Sequence, residues 1–381
     1  MIKNFEGVVG LFEKIHPFLM KIRYNKEIKD KQHKKITQNY ILSKKEKDQV
    51  DKYFLENYGK KVGYEYHQMY SVFHEGFKEY YIPEYVYRAD FEPLMNPTLH
   101  RKVLGDKNLL GLLCRDIDRA RIPKTYASCS MGRYQNEKKE FLSKEAFIDY
   151  ISNIGEFICK PTIDSGSGRN VRLYNLEKGI DKKTGKSAKE IVEEYGKNFV
   201  IQEKIESHDV LKTLYPNSIN TFRVISYIFE NKIYHCPIAL RMGSGGSYLD
   251  NANAGGLFAY VSDDGDLGEY AFFEKENKKF KAHPDTNVTF LGYNIPQTKD
   301  IIRVSEEIHR SLPQLGTISF DFSIDKDSNI VIIEINLDGA GLQIPQIATD
   351  QPVFGENTSK ILQWIKNQKN SSKKRGHYEN I

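Results

Sequence analysis

Three acid and amide side chains near the C-terminal end have types and spacing that suit a metal site. Glu334 and Asn336 stand two apart at the end of the apolar run Val331-Ile332-Ile333-Glu334-Ile335-Asn336, so a strand there turns both to one face. Asp321 sits in a similar run, Ile318-Ser319-Phe320-Asp321-Phe322, which reads as the partner strand of a hairpin and can reach the same face. A carboxylate in such a run is costly to bury without a partner. Any one of the three could simply be solvated at a strand end. Three converging on one face read instead as oxygen ligands for one or two Mg²⁺ ions (Mn²⁺ being an acceptable substitute), which take carboxylates together with substrate oxygens.

The upstream chain supplies cations and glycines. Lys160-Pro161 closes a strand, and Ser165-Gly166-Ser167-Gly168 follows. Glycines let backbone N–H groups wrap phosphate oxygens, and a neighbouring lysine adds a point charge. A Gly/Ser hairpin turn would look the same, and the spacing matches neither GxxxxGK[ST] nor a GxGxxG that opens a helix. Any phosphate loop here lies between two strands. Arg223, in Asn220-Thr221-Phe222-Arg223, and Arg241, ending Ile238-Ala239-Leu240-Arg241, can both project toward one anion across a hairpin. Surface arginine is the alternative for each.

The elements that must position these groups follow from periodicity. Residues 1–90 read as helical, with Phe5, Val8, Val9, Phe12, Ile15, Leu19 and Ile22 at helical spacing on a basic helix. That stripe is expected to pack on the rest of the protein, with a partner or membrane-surface contact as the alternative. The run 26–35 is expected to be a solvated helix face or linker. The aromatics Tyr53, Tyr58, Tyr64, Tyr66, Tyr70, Phe73 and Phe77 are read as core and interface rather than as a nucleic-acid stacking platform. Residues 106–119 predict a helix, 157–160 and 171–174 strands, 188–195 a helix and 199–205 a strand. Strands 220–229 and 232–242 form an expected hairpin about Glu230-Asn231. A glycine-rich stretch spans 243–256. Residues 301–312 predict an amphipathic helix, and 317–324 with 329–336 a second hairpin. The tail from 368 is polar, and is expected to be disordered.

Length and composition suggest two or three units of an ordinary globular protein: 381 residues, 39% hydrophobic and 28% charged, with a net charge of +5. That charge mildly favours anionic ligands but does not indicate a nucleic-acid binder. Cys114, Cys129, Cys159 and Cys236 show no CxxC spacing and read as reduced and buried, with neither a zinc site nor a disulfide framework. No segment has the apolar length of a membrane span. Glu6, Glu13 and Lys14 break any signal-peptide core, so the expected location is the cytoplasm.

In order, these pieces resemble the ATP-grasp superfamily. The matching series is Asp106-Lys107, Ile122-Pro123, Lys160-Pro161 with Ser165–Gly168, Gln202-Glu203-Lys204-Ile205, Arg241, the stretch from Asn251 to Gly256, Asp321, and Glu334-Ile335-Asn336. Within it, the chain is most similar to the sugar-transfer-associated ATP-grasp proteins, through Tyr81-Ile82-Pro83-Glu84, Asp106-Lys107-Asn108, Asn220-Thr221-Phe222-Arg223 and the segment 336–343. The resemblance implies an α+β fold in which two subdomains with antiparallel sheets grip ATP. A helical region at 1–95 would precede subdomains at 96–200 and 201–367, with the tail at 368–381. It implies that Lys107 and Lys160 bind phosphates and that Ser165, Gly166, Ser167 and Gly168 close over them. Gln202, Glu203, Lys204 and Ile205 would form the adenine hinge, with Asp209, or else Glu206, on the ribose. Asp321, Glu334 and Asn336 would hold Mg²⁺, Arg241 would meet the transferred phosphoryl group, and Arg223 would serve phosphates or substrate. The implied activity is ADP-forming carboxylate–amine ligation through an acyl phosphate, with phosphotransfer to a sugar or amino acid as the alternative. Implied partners are a carboxylate and an amine, a sugar acid or nucleotide sugar among them, in surface polysaccharide synthesis. The substrate contacts of ATP-grasp ligases that carry an α/β domain ahead of the grasp do not transfer, because residues 1–90 look helical.

Overall fold

In the computed structural model the described residues are 2–74, 76–163, 170–247 and 255–378, with side chains considered between 15 and 371. Ser165, Gly166, Ser167 and Gly168, and Asn251 to Ala254 of the glycine-rich stretch, lie outside them.

The alternating apolar runs of the C-terminal half build the larger sheet. Its strands run in the order Ala120–Arg121, Ile330–Asn336, Thr317–Ile324, Thr221–Phe229, Ile238–Met242, Leu257–Val261, Leu267–Phe273 and Lys278–Phe280, with Lys232–His235 paired to Thr221–Phe229 off this path. All pairings are antiparallel except that of Ala120–Arg121 with Ile330–Asn336. Phe222, Val224, Leu240, Phe320 and Phe322 pack on one face against Ile301, Val304 and Ile308 of the amphipathic helix Thr298–Arg310. The smaller sheet runs in the order Phe141–Leu142, Arg133–Asn136, Thr125–Ser130, Asn198–Gln202, Glu156–Pro161, Arg172–Glu177 and Ile180–Asp181. Its core is Phe147, Phe157, Tyr174, Ile191 and Phe199, two of them supplied by the helices Lys144–Ser152 and Ala188–Tyr195. The chain is thus α+β, with two sheets and helices ahead of them.

The N-terminal helices cover part of the other face of the larger sheet. A capping box starts Lys44–Asn57: Ser43 Oγ accepts from Glu46 N at 3.3 Å, and Glu46 Oε2 accepts from Ser43 N at 2.7 Å. Phe54 of that helix, with Tyr58, Tyr66, Tyr70 and Phe73, shares one buried cluster with Ile225, Tyr227, Ala239, Phe258 and Phe272 of the sheet. The aromatics therefore serve as core.

Four expectations change. The stripe on the first helix, Ile2–Glu27, does not pack on the protein at its C-terminal half, where Ile15, Phe18, Leu19 and Ile22 are exposed. As far as it is described, the polar tail is helical: Thr358–Tyr378 is one helix. Its buried Ile361, Leu362 and Ile365 dock it on the N-terminal helices, and the contacts of Lys366 Nζ with Glu56 O at 3.1 Å and of Lys369 with Asp90 carry the helix outward. The boundary at 96 also moves. Leu110 and Cys114 pack in the core of the larger sheet and Ala120–Arg121 pairs into it, so the smaller sheet begins only at Thr125. The helix expected over 106–119 is a 3₁₀ turn, Lys107–Leu109, and a short helix, Leu110–Leu113. All four cysteines are free and buried. Among the described residues, no helix is long and apolar enough to cross a membrane.

Candidate active site

Two one-residue bulges create the polar patch of the larger sheet. On Ile330–Asn336, Ile332 pairs with Phe322 but Glu334 pairs with Asp321, which leaves Ile333 as the extra residue. A bulge reverses which residues face which side. Here Ile332 and Ile335, three apart, both reach the apolar core, while Glu334 and Asn336 share the face of Asp321. On the neighbouring hairpin, His235 pairs with Ser226 but Ala239 pairs with Arg223, so one extra residue is inserted around Cys236-Pro237. That insertion buries Leu240 in the core and sets Arg241 opposite Thr221 on the polar face. A regular hairpin would place Arg241 and Glu334 on the wrong side.

The charges then meet. Asp321 accepts from Arg223 Nε at 2.8 Å and Nη2 at 3.3 Å, and Arg241 Nη2 lies 3.1 Å away. Arg241 also donates to Thr221 Oγ1 from Nε at 3.1 Å and from Nη2 at 2.7 Å. Burial pushes the Asp321 carboxyl up, but Arg223 and Arg241 outweigh it and hold the group below the usual carboxylate range. For Arg223, burial outweighs the pull of Asp321 and lowers its pKa. This is the state of a buried cation short of anions, which a phosphate would reverse.

Lys107 and Lys160 approach from the other side of the cleft. Lys107 Nζ pairs with Glu334 Oε1 at 3.0 Å, and its backbone N–H donates to Thr162 O at 3.1 Å at the end of the Lys160 strand. Lys160 Nζ donates to Ile333 O at 3.3 Å, the carbonyl of the bulged residue. Lys107, Lys160, Glu334 and the backbone about Ile333 line one concavity. Burial lowers the Lys160 pKa to about 8, against the opposing pull of Glu334. The unfolded chain therefore binds the proton more tightly, so the charged lysine costs stability below pH 8. That cost fades as pH rises from about 8 toward the unfolded value of about 10.4. Lys160→Met is expected to stabilise the nucleotide-free protein by about 1–3 kcal/mol at pH 7. In thermal melts the advantage should shrink steadily as pH rises toward 10; an advantage independent of pH would contradict it.

The chemistry of this donor set fits a hard cation. Two carboxylates and a carboxamide offer oxygens on one face, and the Asn336 side chain has no hydrogen-bond partner among the described residues. Asp321, Glu334 and Asn336 could hold a divalent cation.

The segment joining the two sheets is pinned at Glu203, whose carboxylate accepts from Lys124 N at 2.7 Å and also pairs with Arg121. Arg121 Nε reaches Asp325 Oδ2 at 2.7 Å. Gln202 is buried, with Nε2 donating to Thr125 Oγ1 at 3.2 Å. Both side chains are committed to structure. The backbone groups of Lys204 and Ile205 make no hydrogen bond among the described residues. Asp209 opens the helix Asp209–Leu214 and is almost fully exposed, near Lys212 at 3.8 Å. Glu206 is exposed and pairs with Lys326 at 3.3 Å. The structure singles out neither for the ribose.

Sequence reasoning missed what holds the loop after Asn336. Leu342 N donates to Glu84 Oε2 at 3.0 Å, and Gly339 N donates to Glu92. Arg88 lies between these acids, its Nε 2.8 Å from Glu84 Oε1. Arg101 pairs with Asp338 at 2.9 Å, and Arg223 Nη1 donates to Ala340 O at 3.3 Å. Burial raises the Glu92 pKa against the pull of Arg88. The available signal was acid, arginine, acid at four-residue spacing within the aromatic run 84–92. Gly339 has φ +80°, and a Cβ there would run into the Arg88 guanidinium. Gly339→Ala is therefore expected to cost about 1–3 kcal/mol in denaturant unfolding, whereas a loss within ±0.5 kcal/mol would show that the loop is not held this way.

No curated protein matches the chain by sequence. Similar solved structures include N5-carboxyaminoimidazole synthetase from Staphylococcus aureus complexed with ADP, at 13% identity and a TM-score of 0.37, covering 66% of this chain and 52% of that one. D-alanyl-alanine synthetase A from Vibrio cholerae has 13% identity and a TM-score of 0.39, over 71% of this chain and 65% of its own. An L-amino acid ligase from Bacillus licheniformis has 12% identity and a TM-score of 0.36, over 68% and 47%. The chain spans about half to two thirds of the length of these proteins. The model of sugar-transfer-associated ATP-grasp proteins matches residues 86–361, which takes in both sheets and every residue of the cleft. The chain belongs to the sugar-transfer-associated ATP-grasp family.

Proposed function

We propose that the protein is an ATP- and Mg²⁺-dependent carboxylate–amine ligase that forms ADP. The observation that carries this reading is the convergence of Lys107, Lys160, Arg223 and Arg241 on Asp321 and Glu334. Four cations around two acids suit a polyphosphate whose charge must be neutralised while it transfers. A bound Mg²⁺ would supply further neutralisation of the phosphate oxygens. In the proposed reaction a carboxylate oxygen of one substrate attacks the γ-phosphorus of ATP, and ADP leaves. The amine of the second substrate then attacks the carbonyl of the acyl phosphate, and inorganic phosphate leaves with formation of the amide. Lys107 and Lys160 orient phosphates from one side, and Arg241, fixed by Thr221, meets the transferring group from the other. Ser165–Gly168 would close over the phosphates, the backbone of Lys204 and Ile205 would read adenine, and Asp209 or Glu206 would take the ribose. Such chemistry depends on position and charge more than on an acid–base pair.

The acceptor surface we propose is the loop 339–346; of the glycine-rich stretch 243–256, residues 248–254 lie outside the described residues. The substrate pair we favour is an amino acid or other amine with a sugar acid or nucleotide sugar, in surface polysaccharide synthesis in the cytoplasm. Four free, buried cysteines agree with a reducing compartment. The test is ADP formation with amino acids and sugar acids supplied in pairs, with hydroxylamine added as a trap. A pair-dependent rate and a hydroxamate are expected. A stable phosphorylated sugar or amino acid would mean a kinase instead.

A further inference from the structure

The first helix turns an apolar stripe away from the protein. His16, Pro17, Met20 and Tyr24 are half-buried and form its inward side. Ile15, Phe18, Leu19 and Ile22, on the opposite side at helical spacing, are 42%, 63%, 49% and 50% exposed. Isolated exposed apolar residues are ordinary, but a continuous row of four on one helix is a contact surface. Its setting is basic. From residue 14 to residue 26 the chain has Lys14, Lys21, Arg23 and Lys26 and no acid, with Glu13 and Glu27 closing the segment. Lys21, Arg23 and Lys26 are exposed and make no ion pair among the described residues. At 100° per residue, Lys21 and Arg23 fall on opposite flanks of the stripe. A cavity of about 250 Å³ opens beside Phe18 and Lys21, with Lys60 and Lys61 on its far wall. Asp90 holds Lys60 at 3.1 Å, and Asp51 holds Lys61 at 2.5 Å.

We propose that this helix docks the protein on an anionic phospholipid surface. Phe18, Leu19 and Ile22 enter the boundary between headgroups and acyl chains, while Lys21, Arg23 and Lys26 reach headgroup phosphates. The charge distribution favours lipid over a second copy of the chain, because apposing two such stripes would set cations against cations. The helix would lie on the membrane, since among the described residues no helix is long and apolar enough to cross it. This inference does not depend on the ligase reading.

The test is co-sedimentation of the full chain with vesicles of phosphatidylcholine alone or mixed with phosphatidylglycerol. Partitioning is expected to favour the mixed vesicles by about tenfold or more and to weaken as salt is raised. Phe18→Ser with Ile22→Ser, and separately Lys21→Glu with Arg23→Glu, should each lower partitioning about tenfold. Nucleotide turnover in solution and the melting temperature should be unchanged in both, since these residues are exposed and lie outside the cleft. Equal partitioning to both vesicle types would overturn the proposal. So would a dimer, seen by light scattering, that the Phe18/Ile22 variant dissolves.

Discussion

Glu334→Gln should lower ADP formation by about 10²–10³-fold or more, a loss of roughly 3–4 kcal/mol of transition-state stabilisation. Glutamine keeps the size of the side chain but removes the charge that pairs with Lys107 at 3.0 Å and would hold Mg²⁺. The fold should survive, because Glu334 is partly exposed and its strand is held by Ile330, Ile332 and the ladder to Thr317–Ile324. Thermal melting should therefore move little while turnover collapses, and excess Mg²⁺ should restore only part of the rate. Unchanged turnover would remove Glu334 from the site. Asp321 is the poorer position for this test, because it neutralises Arg223 and Arg241. Its removal strands two buried cations and costs stability as well as activity.

Removing residues 1–95 should leave a chain that does not fold. The helices cover Ile225, Tyr227, Phe229, Ala239, Phe258 and Phe272 on the larger sheet. Uncovering a large buried apolar side chain costs about 1.5–3 kcal/mol, so the group together approaches the whole stability of a typical domain, about 5–15 kcal/mol. Specific contacts would go too. Tyr80 donates to Asp350 O at 2.6 Å, Ile82 N to Gln346 Oε1 at 2.7 Å, and Glu84 and Glu92 hold Leu342 and Gly339. The fragment 96–381 is expected to elute as aggregate and to show no cooperative melt by circular dichroism. A single sharp transition with native-like secondary structure would show that the helical region is a separate domain.

The amino-acid order by itself determined the α+β class, the helical start, and the identities of the charged residues in the cleft, because these follow from local periodicity and from polar residues placed in apolar runs. Periodicity of the first helix located its apolar stripe, but could not tell an inward stripe from an outward one. That depended on how the inward side, formed by His16, Pro17, Met20 and Tyr24, met the rest of the protein. The tail after 368 read as disordered because its composition is polar; its helix depends on Ile361, Leu362 and Ile365 docking far away in sequence. The site shows the same division most sharply. Asp321, Glu334, Arg223 and Arg241 were legible as types, yet alternation alone sets Ile333 opposite Asp321 and turns Arg241 to the apolar side. Only the bulges at Ile333 and at Cys236-Pro237 bring them together. A one-residue insertion reverses the facing of everything beyond it, and whether it forms is decided by the packing of Leu240, Ile332 and Ile335 into the core on the far side of the sheet.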